Sequence, residues 1–111
     1  MSNDFYLAPR KNLKWLGVDL DQTICYPTWK PDQKRAVIGD PIPENIIKLQ
    51  AAVDAGYRPV IYTARHWSEY EMIEAWLEHN EIPYSRILCG KPLFHRFVDD
   101  KNILPTAERW F

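Results

Sequence analysis

The chain has 111 residues, of which 46% are hydrophobic and 26% are charged, and its formal net charge at pH 7 is -1. This length and composition are typical of one globular domain with a sizeable core, so we expect residues 1–111 to form a single domain. The near-neutral charge and the lack of a basic stripe argue against a nucleic-acid partner and against binding to a charged membrane surface.

Four short apolar runs predict β-strands. Residues 13–19 are apolar until they end in an acid, as expected for a strand that is buried except at its carboxyl end. Residues 58–62, 87–88 and 97–98 are the other three runs. Helical segments separate the first three strands, and this alternation predicts an α/β fold with a Rossmann-like parallel sheet, right-handed crossovers and helices on both faces.

Two helices are predicted between these strands. The first begins near Pro43, because proline is tolerated in a first turn, and ends at Gly56 as its C-terminal glycine. The second begins at a capping box of Ser68 and Glu71 and stops near Asn80. Apolar side chains recur in them at helical spacing, namely Ile46, Leu49 and Val53, then Met72, Ile73, Trp76 and Leu77.

Residues 24–41 lie between the first strand and the first helix, and we expect them to form a flap-like loop or hairpin. Pro27, Pro31 and Gly39 interrupt this segment, while residues 36–38 are apolar enough for a short strand. The segment follows the acidic end of the first strand directly. It is therefore expected to protrude beside the carboxylates there.

Polar residues stand at or just after the carboxyl ends of the predicted strands. Because those ends share one edge of a parallel sheet, residues distant in sequence converge there on a single crevice. Four carboxylates in one crevice would repel one another unless a cation neutralised them, and oxygen ligands without His or Cys favour Mg²⁺. A lysine and a threonine complete a pocket suited to a phosphoryl group. The residues are Asp19, Asp21, Thr23, Thr63, Lys91, Asp99 and Asp100.

In order and in strand context, these residues resemble the four motifs of the haloacid dehalogenase (HAD) superfamily. The motifs are Asp19-Leu20-Asp21-Gln22-Thr23, Thr63 after an apolar strand, Lys91, and Asp99-Asp100 after Phe97-Val98. The flanking residues of the last three motifs further resemble small phosphatases of this superfamily, some of them linked to capsule biosynthesis. The resemblance implies a Rossmann-like fold and Mg²⁺-dependent hydrolysis of a phosphate ester. The gaps between the motifs are too short for the separate cap domain of many members.

The resemblance also implies catalytic roles. Asp19 would attack phosphorus as the nucleophile and form an aspartyl-phosphate that water then hydrolyses. Asp21 would protonate the leaving oxygen and later accept a proton from water. Its presence favours a phosphatase, since dehalogenases of the superfamily lack this second acid. Lys91, with the metal, would screen the repulsion between Asp19 and the substrate dianion.

Binding roles are implied as well. We expect Thr63, Thr23, Arg65 and the backbone N–H groups after Asp19 to contact the substrate. The metal ligands would be Asp19, the backbone carbonyl of Asp21, Asp100 and Asp99. Asp99 would ligate Mg²⁺ either directly or through water.

The favoured substrate is a small phosphorylated metabolite such as a sugar phosphate. One alternative is a phosphate on a nucleic-acid end or on a protein. Another is a non-hydrolytic phospho-accepting signalling domain, but such domains place an acidic pair after the first strand and the accepting Asp after the third. Without a cap domain, the site would be covered by residues 24–41, by a neighbouring subunit of a homo-oligomer, or by the substrate itself if it is large. We favour residues 24–41, with Tyr26 and Trp29 as their apolar contacts.

The cysteines and the first twelve residues indicate a cellular compartment. Cys25 and Cys89 are too few for a disulfide scaffold and lack metal-site spacing. Residues 1–12 lack the apolar core of a signal peptide, and no run of about 18 apolar residues occurs. We therefore expect a cytoplasmic protein without a membrane-spanning segment.

Overall fold

Three parallel strands form the centre of the fold. A computed structural model describes residues 13–28, 37–92 and 101–111. In these ranges β1 (Lys14–Asp19), β2 (Tyr57–Tyr62) and β3 (Arg86–Leu88) form a sheet in the order β1-β2-β3. Both pairings are parallel. The first three predicted strands are thus confirmed to within a residue or two, and the strand predicted at 97–98 lies outside the described residues.

Two helices connect these strands. Helix α1 (Pro43–Asp54) joins β1 to β2, and helix α2 (Tyr70–His79) joins β2 to β3. Proline occupies the first turn of α1, and Gly56 follows its end with a φ of +98°, a backbone conformation that favours glycine. Both predicted ends of α1 are therefore confirmed. Within the described ranges, no helix is long and apolar enough to cross a membrane.

The start of α2 differs from the prediction. Ser68 lies within a 3-10 turn, Trp67–Glu69, that precedes the helix. His66 caps this turn, because its Nδ1 accepts the backbone N–H of Ser68 at 3.0 Å and also lies 3.0 Å from the Ser68 hydroxyl. Glu69 is the N-cap of α2 and makes no capping hydrogen bond through its side chain. The predicted capping box is wrong because Ser68 belongs to the turn, not to the helix start.

Both helices pack on the same face of the sheet. With the strand order β1-β2-β3 the two crossovers move in the same direction, and right-handed crossovers then place their helices on one side. The buried side chains agree, because neighbours in the strand register share a cluster with side chains from both helices. The cluster includes Val18, Ile61 and Ile87 from the sheet, Leu49 from α1, and Ile73 and Leu77 from α2. The described helices thus cover one face of the sheet, not both as predicted.

The C-terminal segment, residues 101–111, packs without a helix or a strand. Trp110 is buried in the main cluster, and its Nε1 donates to the carbonyl of Pro105 at 3.2 Å. Lys48 of α1 donates to the same carbonyl at 3.2 Å. The tail is therefore attached to α1.

Candidate active site

A single tight turn follows β1 and presents its acidic residues. The carbonyl of Leu20 accepts the backbone N–H groups of Thr23, Ile24 and Cys25 at 3.1–3.3 Å. Leu20, Ile24 and Cys25 are fully buried and anchor the turn in the core. Gln22 has a φ of +65°, an uncommon conformation for a residue with a side chain. Asp19 and Asp21 are thus displayed from a well-anchored backbone.

Asp19 lies at the carboxyl end of β1 in an environment that disfavours its charge. Its Oδ1 accepts the N–H of Leu20 at 2.9 Å, and its Oδ2 lies 4.0 Å from Nζ of Lys91. Burial raises the pKa of Asp19, the charge of Lys91 and the Leu20 N–H lower it, and Asp21 raises it; the net pKa is above the usual range. Asp19 therefore gains from any further positive charge placed beside it.

The backbone fixes Thr63 and Lys91 next to each other. Thr63 follows β2 and is 1% exposed; its N–H donates to the carbonyl of Leu88, and its carbonyl accepts the N–H of Lys91, both at 2.9 Å. Its hydroxyl oxygen accepts the N–H of Arg65 at 3.1 Å, which leaves the hydroxyl hydrogen to be donated elsewhere. The loops after β2 and β3 are thereby joined, and this carries Lys91 to Asp19 at the end of β1.

Arg65 pairs with Asp21, a contact that the sequence did not predict. Its Nε and Nη2 donate to Oδ2 and Oδ1 of Asp21 at 2.9 and 2.8 Å. Its Nη1 donates to Glu69 at 3.0 Å, and its Nη2 donates also to the carbonyl of Val37 at 2.8 Å. The contacts with Asp21, and to a lesser extent with Glu69, raise the pKa of Arg65 above its usual value, although burial opposes them. The substrate contact expected of Arg65 stays a prediction, since most of its donors are engaged within the chain.

The two described ends of the 24–41 segment run antiparallel. The backbone N–H of Tyr26 donates to the carbonyl of Asp40, and the backbone N–H of Ile42 donates to the carbonyl of Ile24, both at 2.9 Å. The hydroxyl of Thr28 donates to the carbonyl of Val37 at 3.0 Å. This geometry agrees with the base of a hairpin. Residues 29–36, which include Trp29 and part of the strand expected at 36–38, lie outside the described residues.

Asn45 contacts the turn after β1, and its sequence position alone did not single it out. It is 8% exposed, and its Nδ2 donates to the backbone carbonyl of Thr23 at 2.7 Å. The bond ties α1 to the turn that carries Asp19 and Asp21. The available signal was its position, because Asn45 shares the buried face of α1 with Leu49 and Ala52, where a polar side chain needs a partner.

The described donors suit a hard cation only in part. The carboxylate of Asp19 is available, and the turn hydrogen bonds at Asp21 run from Gln22 to Cys25 and from Cys25 to Leu20, so they do not use the Asp21 carbonyl. Both groups are oxygen donors of the kind that Mg²⁺ prefers. Among the described residues no cluster of three acidic, His or Cys ligands occurs. Asp99 and Asp100, the other expected ligands, lie outside the described ranges.

A cavity of about 510 Å³ opens beside Asp19. Its volume lies within the range of small-molecule sites. Its walls include residues of β1, residues 101–105 and Trp110, so the tail contributes to the site, which its sequence did not indicate. The polar and aromatic groups near Asp19 in the wall are Thr23, Tyr62 and Lys91.

Comparison with known proteins supports the fold but assigns no activity. No family model matches the sequence, and no curated protein matches it. A crystal structure of a protein from Vibrio cholerae, named only as a crystallographic target, matches with a TM-score of 0.67. The two sequences are 29% identical, and the match covers 85% of each chain. This likeness supports the α/β fold.

The structure brings together those predicted site residues that it describes. Asp19, Asp21, Thr63 and Lys91 meet at one edge of the sheet, as the strand order requires. The side chain of Thr23 is half-buried in the cavity wall. Tyr26, expected to help cover the site, is 47% exposed.

Proposed function

We propose that this chain is a Mg²⁺-dependent phosphatase of the HAD type, without a separate cap domain, that hydrolyses a small phosphate monoester. The observation that carries the proposal is the approach of Lys91 to Asp19 at 4.0 Å across the carboxyl ends of β3 and β1. A carboxylate and an ammonium group placed together, beside a buried threonine and a cavity, form a site for a phosphoryl dianion.

In the first step Asp19 acts as the nucleophile. A bond forms between its carboxylate oxygen and phosphorus, the ester bond to the leaving oxygen breaks, and the leaving oxygen takes a proton from Asp21. Lys91 screens the repulsion between Asp19 and the phosphoryl oxygens. The hydroxyl of Thr63 is oriented to donate to one of those oxygens, because its own oxygen already accepts from Arg65.

In the second step water attacks the aspartyl-phosphate. The water loses its proton to Asp21, the bond between phosphorus and Asp19 breaks, and inorganic phosphate leaves. Asp21 thus ends protonated and ready for the next cycle. Cys25, the other nucleophile near this turn, is fully buried, and burial raises the pKa of its thiol to about 11, so it stays protonated.

Mg²⁺ would be held by Asp19, the carbonyl of Asp21 and the expected ligands Asp99 and Asp100. Its contribution is to neutralise charge between the carboxylates and the phosphoryl group. The raised pKa of Asp19 fits this role, since a carboxylate that loses hydration on burial gains most from a cation.

The cavity favours a small phosphorylated metabolite over a macromolecule. About 510 Å³ accommodates a sugar phosphate, and the wall offers Trp15, Tyr62 and Trp110 with amide and ammonium groups. The 24–41 segment, whose carbonyl at Val37 reaches Arg65, would cover the pocket. Cys25 and Cys89 are both free and buried, which agrees with the proposed cytoplasmic location.

Turnover of p-nitrophenyl phosphate tests the proposal. We expect many turnovers per chain with Mg²⁺, loss in EDTA, and recovery with Mg²⁺ but poor recovery with Ca²⁺, which prefers longer bonds and more ligands. Asp19→Asn should abolish turnover, while Asp54→Asn, an exposed acid on α1, should not change it. Full activity in EDTA, or an Asp19→Asn rate within about tenfold of wild type, would overturn the proposal.

A wild-type chain that labels itself once on Asp and then stops would instead indicate a phospho-accepting signalling domain. If turnover occurs, a panel of sugar phosphates, phosphorylated oligonucleotides and phosphopeptides identifies the substrate class. We expect the sugar phosphates to give the highest kcat/KM.

A further inference from the structure

We propose that Arg65 is a positioning residue for Asp21: it orients the side chain that exchanges a proton with the leaving oxygen and with water, and it links Asp21 to the 24–41 segment. The inference rests on the proposed phosphatase function and deepens it. The observation is the two-point contact between the Arg65 guanidinium and both carboxylate oxygens of Asp21, at 2.8 and 2.9 Å.

A two-point contact restricts orientation as a single hydrogen bond does not. The guanidinium is planar, so two parallel N–H bonds fix both the position and the plane of the carboxylate. Without Arg65, the side chain of Asp21, which is 37% exposed, would be free to rotate. An acid that must reach one leaving oxygen loses efficiency when it samples several rotamers.

Arg65 is itself held from three sides, which makes it a suitable support. Glu69, four residues further along the chain, accepts from Nη1 of Arg65 at 3.0 Å. The backbone N–H of Arg65 donates to the hydroxyl oxygen of Thr63 at 3.1 Å, and the carbonyl of Arg65 accepts the N–H of Gly90 at 2.8 Å. With its side chain 13% exposed, Arg65 is shielded from the solvent that would weaken these bonds.

The bond from Arg65 to the carbonyl of Val37 reaches a second part of the site. Val37 belongs to the 24–41 segment, whose ends are paired at Tyr26 and Asp40. One guanidinium therefore contacts both the proton donor and the expected cover. Loss of the Val37 contact would remove one of the bonds that hold the Arg65 guanidinium in place.

A leaving-group comparison separates this role from direct substrate binding. The quantity kcat/KM covers the steps up to cleavage of the ester bond, in which Asp21 gives its proton to the leaving oxygen. The p-nitrophenolate ion leaves without a proton, whereas phenolate, whose conjugate acid has a pKa of about 10 like tyrosine, benefits from one. The two esters are alike in shape, so a lost substrate contact would affect both equally.

The experiment measures kcat/KM for phenyl phosphate and p-nitrophenyl phosphate in wild type, Arg65→Ala and Arg65→Lys. We expect the phenyl to p-nitrophenyl ratio to fall about tenfold in Arg65→Ala, a part of the roughly 10²–10⁴-fold that a general acid contributes. Arg65→Lys keeps the charge but not the planar fork, and it should also lower the ratio. Arg58→Ala, an exposed arginine on β2, is the matched control and should leave the ratio unchanged.

An Asp21→Asn background completes the test, because Arg65→Ala should no longer change the ratio once its partner cannot carry the proton. Equal losses on both esters, or an unchanged effect in the Asp21→Asn background, would overturn the inference while leaving the phosphatase function intact. Wild-type protein without Mg²⁺-dependent turnover of either ester would overturn the function itself. If Arg65→Ala does not fold, judged by circular dichroism, Arg65→Lys decides the question alone.

Discussion

Nζ of Lys91 lies 4.0 Å from Oδ2 of Asp19, although the two residues follow different strands of the sheet. The backbone N–H of Lys91 is bonded to Thr63, and its ammonium group lies 5.2 Å from the centre of the Tyr62 ring. The backbone of Lys91 is thus hydrogen-bonded to the residue that follows β2, while its ammonium group lowers the pKa of Asp19 in β1. Its charge opposes the effect of burial on the pKa of Asp19, so the ionisation of this proposed nucleophile depends on the position of the lysine.

The first prediction is that Lys91→Met raises the pKa of Asp19. The lysine lowers that pKa in the folded protein, so its removal leaves burial and Asp21 unopposed. A carbon-13 NMR titration of the Asp19 carboxyl in metal-free protein measures the shift, and Lys91→Arg, which keeps the charge, is the control. A titration midpoint that stays in place in Lys91→Met would show that the lysine is too distant or too hydrated to act on Asp19.

The second prediction is that Asp19→Asn makes the metal-free protein more stable at neutral pH. The folded-state pKa of Asp19 is raised above its unfolded value, so the charged form costs folding stability. At low pH the carboxyl is protonated in both states and the cost vanishes; it appears as pH rises from the unfolded pKa through the folded pKa. The difference in Tm between Asp19→Asn and wild type should therefore grow with pH across this window and then level off.

Asp54→Asn, on the exposed side of α1, is the control for this measurement, because it removes a carboxylate that lies outside the candidate site. A Tm difference that is constant with pH would contradict the linkage. If the prediction holds, Asp19→Asn combines a loss of turnover with a gain in folding stability, as expected of a residue that serves chemistry at a cost in stability.

Strand positions, the ends of α1 and the meeting of residues at one sheet edge could be predicted because each follows from local pattern and parallel topology. The partners of Arg65 and Asn45 could not. An arginine after β2 has several acids within reach, and only the packed structure selects Asp21 and Glu69. Ser68 illustrates the same limit at short range, since its pattern suits a capping box but its hydroxyl pairs with His66.

The third prediction concerns Asn45, whose amide donates to the carbonyl of Thr23 at 2.7 Å. Asn45→Ala removes the donor and leaves that carbonyl without this bond, at a cost of about 1–3 kcal/mol in unfolding free energy. Because the turn between Asp19 and Thr23 loses its tie to α1, kcat should fall as well. Denaturant unfolding and turnover of p-nitrophenyl phosphate measure the two effects.

Gln50→Ala removes an exposed amide from the same helix, one that donates to Asp54 at 3.0 Å, and serves as the matched control. It should cost well under 1 kcal/mol, as surface substitutions generally do. If Asn45→Ala were no more damaging than Gln50→Ala, the bond to Thr23 would not support the turn.

The last prediction concerns Gly39, where the chain approaches its neighbour too closely for any side chain. A Cβ at this position would run into the carbonyl of Tyr26, which is backbone and cannot rotate away. Gly39→Ala should therefore separate the two ends of the 24–41 segment, weaken the bond from Tyr26 to Asp40, and move the carbonyl of Val37 away from Arg65. We expect the free energy of unfolding to fall by about 1–3 kcal/mol, the usual cost of overpacking, and Tm to fall by several degrees.

The ratio of kcat/KM for phenyl phosphate over p-nitrophenyl phosphate should also fall in Gly39→Ala, as in Arg65→Ala, because Arg65 loses its bond to the carbonyl of Val37. Gly17→Ala is the stability control, since a Cβ there would meet no atom within 4 Å. If Gly39→Ala lowered Tm but left the ratio unchanged, the 24–41 segment would stabilise the fold without acting on Asp21.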